Sequence, residues 1–462
     1  MGLVESVSDY FGVQEHGSSV RTELLAGLTT FLTMSYIVVV NPAILAGAIS
    51  IEGISQGEIQ SMLAVVTIIA AATATFVMAV YANRPFAQAP GLGLNAFFAI
   101  TVVGALGVPW QTALAAVVVE GLLFIVLTAI GAREYVINLF PEPVKFAVGT
   151  GIGLFLAIIG LQAMGIVVDD PATLVALGGV ASNPVAIVSI LGLFFTLALY
   201  ARDVPGSIVL GIAVTSVIGW LVTAFGPVAP DAGLVAGATS TTYDITPLAG
   251  AFVSGFGNVE AFTFSLIVFT FFFVDFFDTA GTLVGVGQAG DFLDENGDLP
   301  DIDRPLMADA IGTTVGGMLG TSTVTTYIES ATGVEEGGRT GLTALTVAAL
   351  FVASLVVVPL AAAIPLYASH IALVVIGVVM LRNVVDIQWD DLTHVIPAGL
   401  TILVMPFTYS IAYGIAAGIA SYPVIKLAAG EREDVRVGHW VLAAAFVVYF
   451  VVRTGGVLAA QV

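Results

Sequence analysis

Two stretches decide how this chain folds. Pro85-Phe86-Ala87-Gln88-Ala89-Pro90-Gly91-Leu92-Gly93-Leu94-Asn95 opens one apolar run, and Gly316-Gly317-Met318-Leu319-Gly320-Thr321-Ser322-Thr323-Val324-Thr325-Thr326-Tyr327-Ile328-Glu329 opens another. The first puts two prolines and two glycines into residues 85–93. Proline removes a backbone donor and glycine carries a large entropy cost, so no clean helix starts there. In the second, the β-branched run from Thr321 to Ile328 reads as extended chain, and Glu329-Ser330-Ala331-Thr332-Gly333 reads as a short helix. Unwound backbone survives inside a bilayer only where it lines a cavity or is buried in protein. Interrupted segments at matching places in two halves of a chain point to a binding site near the bilayer midplane. The competing reading is a pair of structural kinks.

The rest of the chain makes the bilayer the relevant solvent. Of 462 residues, 58% are hydrophobic and 10% charged, against roughly 45–50% and 25% in soluble domains. Apolar runs of the length a spanning helix needs, roughly 20 residues, fall at about 24–47, 61–81, 90–106, 111–131, 145–167, 185–201, 206–226, 261–286, 305–320, 324–337, 340–365, 368–384, 394–409 and 411–428. A further run at 437–456 reads as an interfacial helix, which keeps the count even. Residues 1–23 hold Glu5, Asp9, Glu15 and His16 and no apolar core, so they are expected to be a polar N-terminal segment rather than a cleaved signal.

Basic residues orient these spans. Arg21, Arg84, Arg133, Lys145, Arg202, Arg304, Arg339, Arg382, Lys426, Arg432 and Arg436 flank every second connection, while those around 48–60, 107–110, 168–184 and 227–260 have none. The N-terminus is therefore expected in the cytoplasm. The spans divide into a first set of seven at 24–230 and a second at 261–428. A connection at 231–260 lies between them, and residues 429–462 form a C-terminal segment. An odd number of spans per half inserts the second half upside down, which is the arithmetic of an inverted repeat. The broken spans are the third of each half.

Twelve Lys plus Arg stand against 33 Asp plus Glu, a net charge of -21. Such a surface does not bind nucleic acid or anionic lipid through basic patches. Cysteine is absent and the four histidines are scattered, so neither a disulfide nor a metal site is read, and no cofactor is called for. No Walker loop or catalytic triad appears, so the chain does not read as an enzyme. The acidic loop from Asp291 to Asp303 fails the spacing of a calcium loop and reads as solvated. Acids on the termini and loops fit a halophilic surface, where high salt screens their repulsion.

Carboxylates inside spans are costly and functional by default. Asp275 and Asp278 in span 8 share one helical face, and Thr282 joins them one turn on. Glu329 stands at the start of the short helix of span 10, where capping that helix is the alternative role. Glu120 in span 4 and Asp309 in span 9 read as structural hydrogen-bonding acids. No Lys or Arg lies deep in a span. Buried unpaired carboxylates can take up protons, and a carboxylate accepts adjacent N–H groups. The pattern favours a neutral or cationic, N–H-rich solute over an anion.

At these residues the chain resembles the nucleobase–cation symporters of the nucleobase–ascorbate transporter superfamily, and among them the AzgA-like adenine/guanine/hypoxanthine permeases. The likeness covers Gly27-Leu28-Thr29-Thr30-Phe31-Leu32-Thr33-Met34-Ser35-Tyr36 with Asn41-Pro42, then Ala89-Pro90-Gly91-Leu92-Gly93-Leu94-Asn95-Ala96-Phe97-Phe98. It continues through Asp275-Phe276-Phe277-Asp278-Thr279-Ala280-Gly281-Thr282, Gly320 to Val334 and Gly337 to Thr343. The resemblance implies an all-α polytopic membrane protein with fourteen spans in two inverted repeats. Spans 1–4 and 8–11 would form a core domain and spans 5–7 and 12–14 a gate domain. It implies import of a purine nucleobase by proton symport, with sodium as the alternative cation, across the cell membrane. The family's paired acids fall on Asp278 and Glu329, with Asp278 preferred to Asp275 because Asp-x-x-Gly matches the family pattern. These two would also carry the coupling proton. Backbone at Ile328 and Ala87 would complete the hydrogen bonds to the base, and Thr282, Asp275, Thr326 and Asn95 would join the site. Such proteins often dimerise, so a homodimer is an expectation. The rival reading is an anion carrier or channel of sulfate-transporter type.

Overall fold

The computed structural model describes residues 3–131, 140–226, 228–229, 232–236, 241–258, 261–295 and 299–454. Arg133, residues 296–298 of the acidic loop and parts of the connection at 231–260 lie outside them. Each apolar run of the sequence has its element. Span 1 is Val20–Met34 followed by Ile37–Leu45, and span 2 is Gln56–Val77 with a π-helical end, Met78–Ala82. Span 3 is a strand, β1 (Gln88–Pro90), then a helix Leu92–Ala96 that widens into a π-helix, Phe97–Ala105. Helices Trp110–Ala129, Glu142–Ala163, Pro184–Tyr200 and Ser207–Phe225 complete the first half, with a hairpin of β2 (Val167–Asp170) and β3 (Leu174–Leu177) after span 5. The second half begins with the 29-residue helix Ala261–Ala289 and helix Asp303–Leu319. Span 10 is β4 (Val324–Thr326) and the short helix Ser330–Glu335. Helices Gly341–Ala353, Ile371–Met380, Leu392–Thr408 and Ile411–Ala429 follow, and Val437–Thr454 forms from the last apolar run. Nine helices among the described residues are long and apolar enough to cross a membrane by length and composition.

Local chemistry places the ends. Ser19 accepts from Thr22 N, Ser55 and Glu58 form a capping box, and Asn183 caps a helix whose first residue is Pro184. Each satisfies backbone donors that a helix start leaves open. Asn83, in the left-handed region at φ 49°, stops span 2 just before the first broken stretch.

The residues cluster into two compact units. The first is Met1–Ile130 with Ile159–Val375, and the second is Gly131–Ile158 with Ile376–Val462. Both draw on both halves of the chain. In the second unit, Ala147, Ile387, Ala398 and Ile402 form an apolar cluster with Phe146, Leu154 and Val384. Its one buried cation, Lys426, pairs with Glu431 at 2.5 Å and Asp434 at 3.1 Å among the described residues. The first unit holds the two broken spans. There β1 and β4 pair antiparallel, Gln88 opposite Thr326, Ala89 opposite Thr325 and Pro90 opposite Val324. Each strand feeds a short helix and the two run in opposite senses, as an inverted repeat requires.

Candidate functional site

The strand crossing is held by bonds beyond the ladder. Gly91 N donates to Thr323 O at 3.0 Å, Tyr327 N to Ala87 O at 3.0 Å, and Ala87 N to Ser330 Oγ at 2.9 Å. Tyr327 Oη reaches Pro90 O at 2.6 Å. A side chain on Gly91 would collide with Thr325, so glycine here permits the close approach. The two segments that break the helical pattern thus satisfy each other's backbone, which is what allows them to lie inside an apolar protein.

Beneath the crossing lies a buried polar network. Gln88 Nε2 donates to Asp309 Oδ1 at 3.0 Å and to Thr326 Oγ1 at 3.2 Å, and Thr326 Oγ1 donates to the same Asp309 oxygen at 2.9 Å. Thr279 Oγ1 donates to Asp309 Oδ2 at 3.0 Å and shares a bond with Thr325 Oγ1 at 2.7 Å. The Asp309 carboxylate therefore joins span 9 to span 8 and to both strands. Asn41 donates to Thr67 and Thr321, and Ser322 bonds Asn95 Oδ1.

The residues named from the sequence separate into two sets. Ala87, Asn95, Asp275 and Thr326 are buried. Both backbone groups of Ala87 and the hydroxyl of Thr326 are engaged in the crossing. Asp278, Thr282 and Glu329 are only partly covered, and Ile328 is 48% exposed. These four share the open side of the first unit. Gly281, one turn beyond Asp278, is exposed, and a side chain there would meet nothing within 4 Å. At Gly285, a turn further, the nearest neighbour would be Ile328 Cδ1 at 3.4 Å. Asp278, Gly281 and Gly285 lie along one face of Ala261–Ala289 by their spacing, and Ile328 and Glu329 stand across from it.

Glu329 occupies the N-cap position of Ser330–Glu335 yet makes no capping bond. The capping role is therefore not the one its carboxylate plays. Its Oε1 accepts the Tyr36 hydroxyl at 2.6 Å, which fixes the group where it can face the open side. Tyr36 sits at the break in span 1, a residue whose part in the site the sequence reading missed. Gly281, Gln88 and Thr279 were missed likewise; each lies in a quoted motif, but nothing local distinguishes it from a packing residue. The site is two partly covered carboxyl groups on opposing elements, with a small-residue gap between and no ion pair to either among the described residues. This suits a flat, uncharged ligand with N–H donors.

Two results are expected here. Tyr36→Phe removes a donor to a charged acceptor, worth about 1.5–3 kcal/mol, so ligand affinity falls while the fold persists; equilibrium binding to purified protein measures it. Gly281→Leu improves helix propensity by on the order of 1 kcal/mol and meets no neighbour. Thermal stability should hold or rise while ligand binding is lost, because the new side chain fills the gap beside Asp278.

Comparisons with known proteins agree with this architecture. The model of a permease family, Xan_ur_permease, matches residues 21–417. Adenine permease AdeP of Escherichia coli is 40% identical over 94% of this chain and 92% of its own. Guanine/hypoxanthine permease PbuO of Bacillus subtilis is 41% identical over 92% of this chain and 96% of its own. Among solved structures, the transmembrane domain of the cyanobacterial bicarbonate transporter BicA superimposes with a TM-score of 0.58, at 16% identity, over 86% of this chain and 97% of that one.

Proposed function

Because the chain belongs to the permease family matched over residues 21–417, and is thus a multi-pass membrane transporter and not an enzyme, we propose that it imports purine nucleobases by proton symport. The substrates are adenine, guanine or hypoxanthine, the membrane is the cell membrane with the N-terminus inside, and the cycle is alternating access. The observation that carries this reading is that Asp278 and Glu329, on two different elements, lie close enough to interact electrostatically and neither is fully covered. Purines are planar and carry adjacent N–H groups, which two carboxylates accept. The names of the relatives, an adenine permease and a guanine/hypoxanthine permease, support the same substrate class. Ile328, exposed two residues beyond β4, supplies an apolar face for the ring, and its backbone supplies further polar groups.

In this reading a coupling proton rests on Asp278 and leaves it ionised for the base. Glu329, held by Tyr36, is the second acceptor. The likeness to a bicarbonate transporter is one of fold; two carboxylates at the site repel an anion.

The test is uptake into proteoliposomes of labelled adenine, guanine, hypoxanthine, xanthine and uracil, under a pH gradient and separately under a sodium gradient. Accumulation of at least one of the first three, abolished by a protonophore, is expected. Sulfate or chloride flux without purine uptake overturns the reading, and uptake that follows sodium alone overturns the proton.

A further inference from the structure

Behind the open side lies a second pair of acids that the binding role does not use. Glu120, in Trp110–Ala129, and Asp275, in Ala261–Ala289, are both fully buried. Their carboxyl groups come within hydrogen-bonding reach of each other. Glu120 Oε1 and Asp275 Oδ1 find no donor. Phe124, one turn from Glu120, packs edge-on against Phe272 at 5.7 Å and at a tilt against Phe276 at 5.5 Å. Phe272 and Phe276 flank Asp275 in the chain, and all three rings are buried. The other titratable groups near it are Asp309, from span 9, and Asp278, one turn along the same helix. Neither is a cation, and no ion pair reaches the cluster among the described residues.

Two ionised carboxylates in contact, with no cation and no water-exposed surface, repel each other, so a pair at -2 readily captures one proton. A proton held between them supplies the donor that the two orphaned oxygens lack. We propose that Glu120 and Asp275 form a proton-holding pair, one helical turn behind Asp278, which receives the coupling proton from Asp278. The transfer breaks the O–H bond on Asp278 and forms one on Asp275. Asp278 goes from neutral to -1 and the pair from -2 to -1. The total charge is conserved, and Asp278 becomes an acceptor for the substrate at the moment the proton is stored.

The pair also reaches the residue before β4 and a helix residue bonded to that strand. Thr323 Oγ1 lies 3.4 Å from Glu120 Oε2, and Thr313 Oγ1 lies 3.4 Å from Asp275 Oδ2. Thr313 meanwhile donates to Val324 O at 2.6 Å. When the pair is doubly charged, the Thr313 hydroxyl is drawn toward Asp275 and away from Val324 O. When it holds a proton, Thr313 stays on Val324 O. The protonation state of the pair is thereby linked to the placement of β4 and so of Ile328 and Glu329.

The coupling role rests on the proposed purine symport, but the proton site does not, and the experiment separates them. Difference infrared spectra of the purified wild-type protein should show a protonated-carboxyl C=O stretch at neutral pH. Glu120→Gln should remove the component of that band that survives in Asp278→Asn, because its amide donates to an Asp275 carboxylate; a band that Glu120→Gln leaves unchanged overturns the pair. In proteoliposomes the same variant should lose purine accumulation driven by a pH gradient while still exchanging labelled for unlabelled purine. Absence of the band in wild type overturns the proton site without any variant. PH-driven accumulation persisting in Glu120→Gln overturns the coupling role. Wild-type vesicles that move no purine refute the transport reading, and the infrared band still decides whether the pair holds a proton.

Discussion

Asp278→Asn and Glu329→Gln should each abolish purine uptake while the protein is still made and inserted. Both changes keep the size and shape of the side chain. Each replaces a double acceptor by an amide that presents one acceptor and one donor, so one of the substrate's N–H groups meets another N–H. Loss of a hydrogen bond to a charged group costs about 1.5–3 kcal/mol, on the order of ten- to hundredfold in affinity for each group. Asp278→Asn loses more than affinity, because an amide does not carry the coupling proton. Counterflow of labelled adenine or hypoxanthine separates the two effects. Glu329→Gln should lose counterflow and pH-driven uptake together and regain both when substrate is raised about ten- to hundredfold, whereas Asp278→Asn should leave no accumulation at any substrate concentration. Uptake retained in both variants rejects this site. Neither side chain is fully covered, so neither substitution is expected to cost much stability.

The reverse holds for Asp309. Its carboxylate takes donors from Gln88, Thr326 and Thr279 and is fully buried. Asp309→Leu removes the acceptor of three buried donors at once. An unsatisfied buried donor costs roughly 1–3 kcal/mol, so the loss is several kcal/mol even though Thr279 keeps its bond to Thr325 and Gln88 its bond to Thr326. Thermal unfolding of the purified protein should fall in the order wild type, Asp309→Asn, Asp309→Leu, and uptake should follow the same order. The midpoint is the deciding measurement: Asp309→Leu melting with wild type means that the strand crossing does not depend on this carboxylate. The contrast with Asp278 and Glu329 is instructive, since acids in the same unit are expected to fail by opposite routes, one through the substrate and the other through the fold.

Much of this architecture was readable from local chemistry. Proline and glycine at 85–93 forbid a helix start, and the Thr-rich run before Glu329 favours extended chain, so strands at Gln88–Pro90 and Val324–Thr326 follow from residue type. The regular placement of Lys and Arg and the length of the apolar runs are likewise one-dimensional properties. So is the pair of acid-bearing segments at spans 8 and 10. The roles of single residues were less legible. Asp275 and Asp278 are three residues apart on one helix, and periodicity puts them on one face. Yet Asp275 is fully buried against Glu120, while Asp278 stays partly exposed. Thr326 and Asn95 belong to segments that carry the site, but their polar atoms are spent on Asp309 and Ser322.

By itself, then, the sequence determined that this is a polytopic helical membrane protein with two interrupted spans and a few acids inside the apolar zone. Each of these depends on residues adjacent in the chain: a dihedral restriction, a missing donor, a hydropathic run. Only the tertiary structure decided which acids are partly exposed and which are sealed. It also decided that Tyr36 rather than a helix end engages Glu329, and that Gln88 and Asp309 tie the strands together across 221 residues. The reason is physical. The solvation and partners of a buried carboxyl group are set by side chains arriving from other elements, and helical spacing fixes a direction around one axis without saying what stands there.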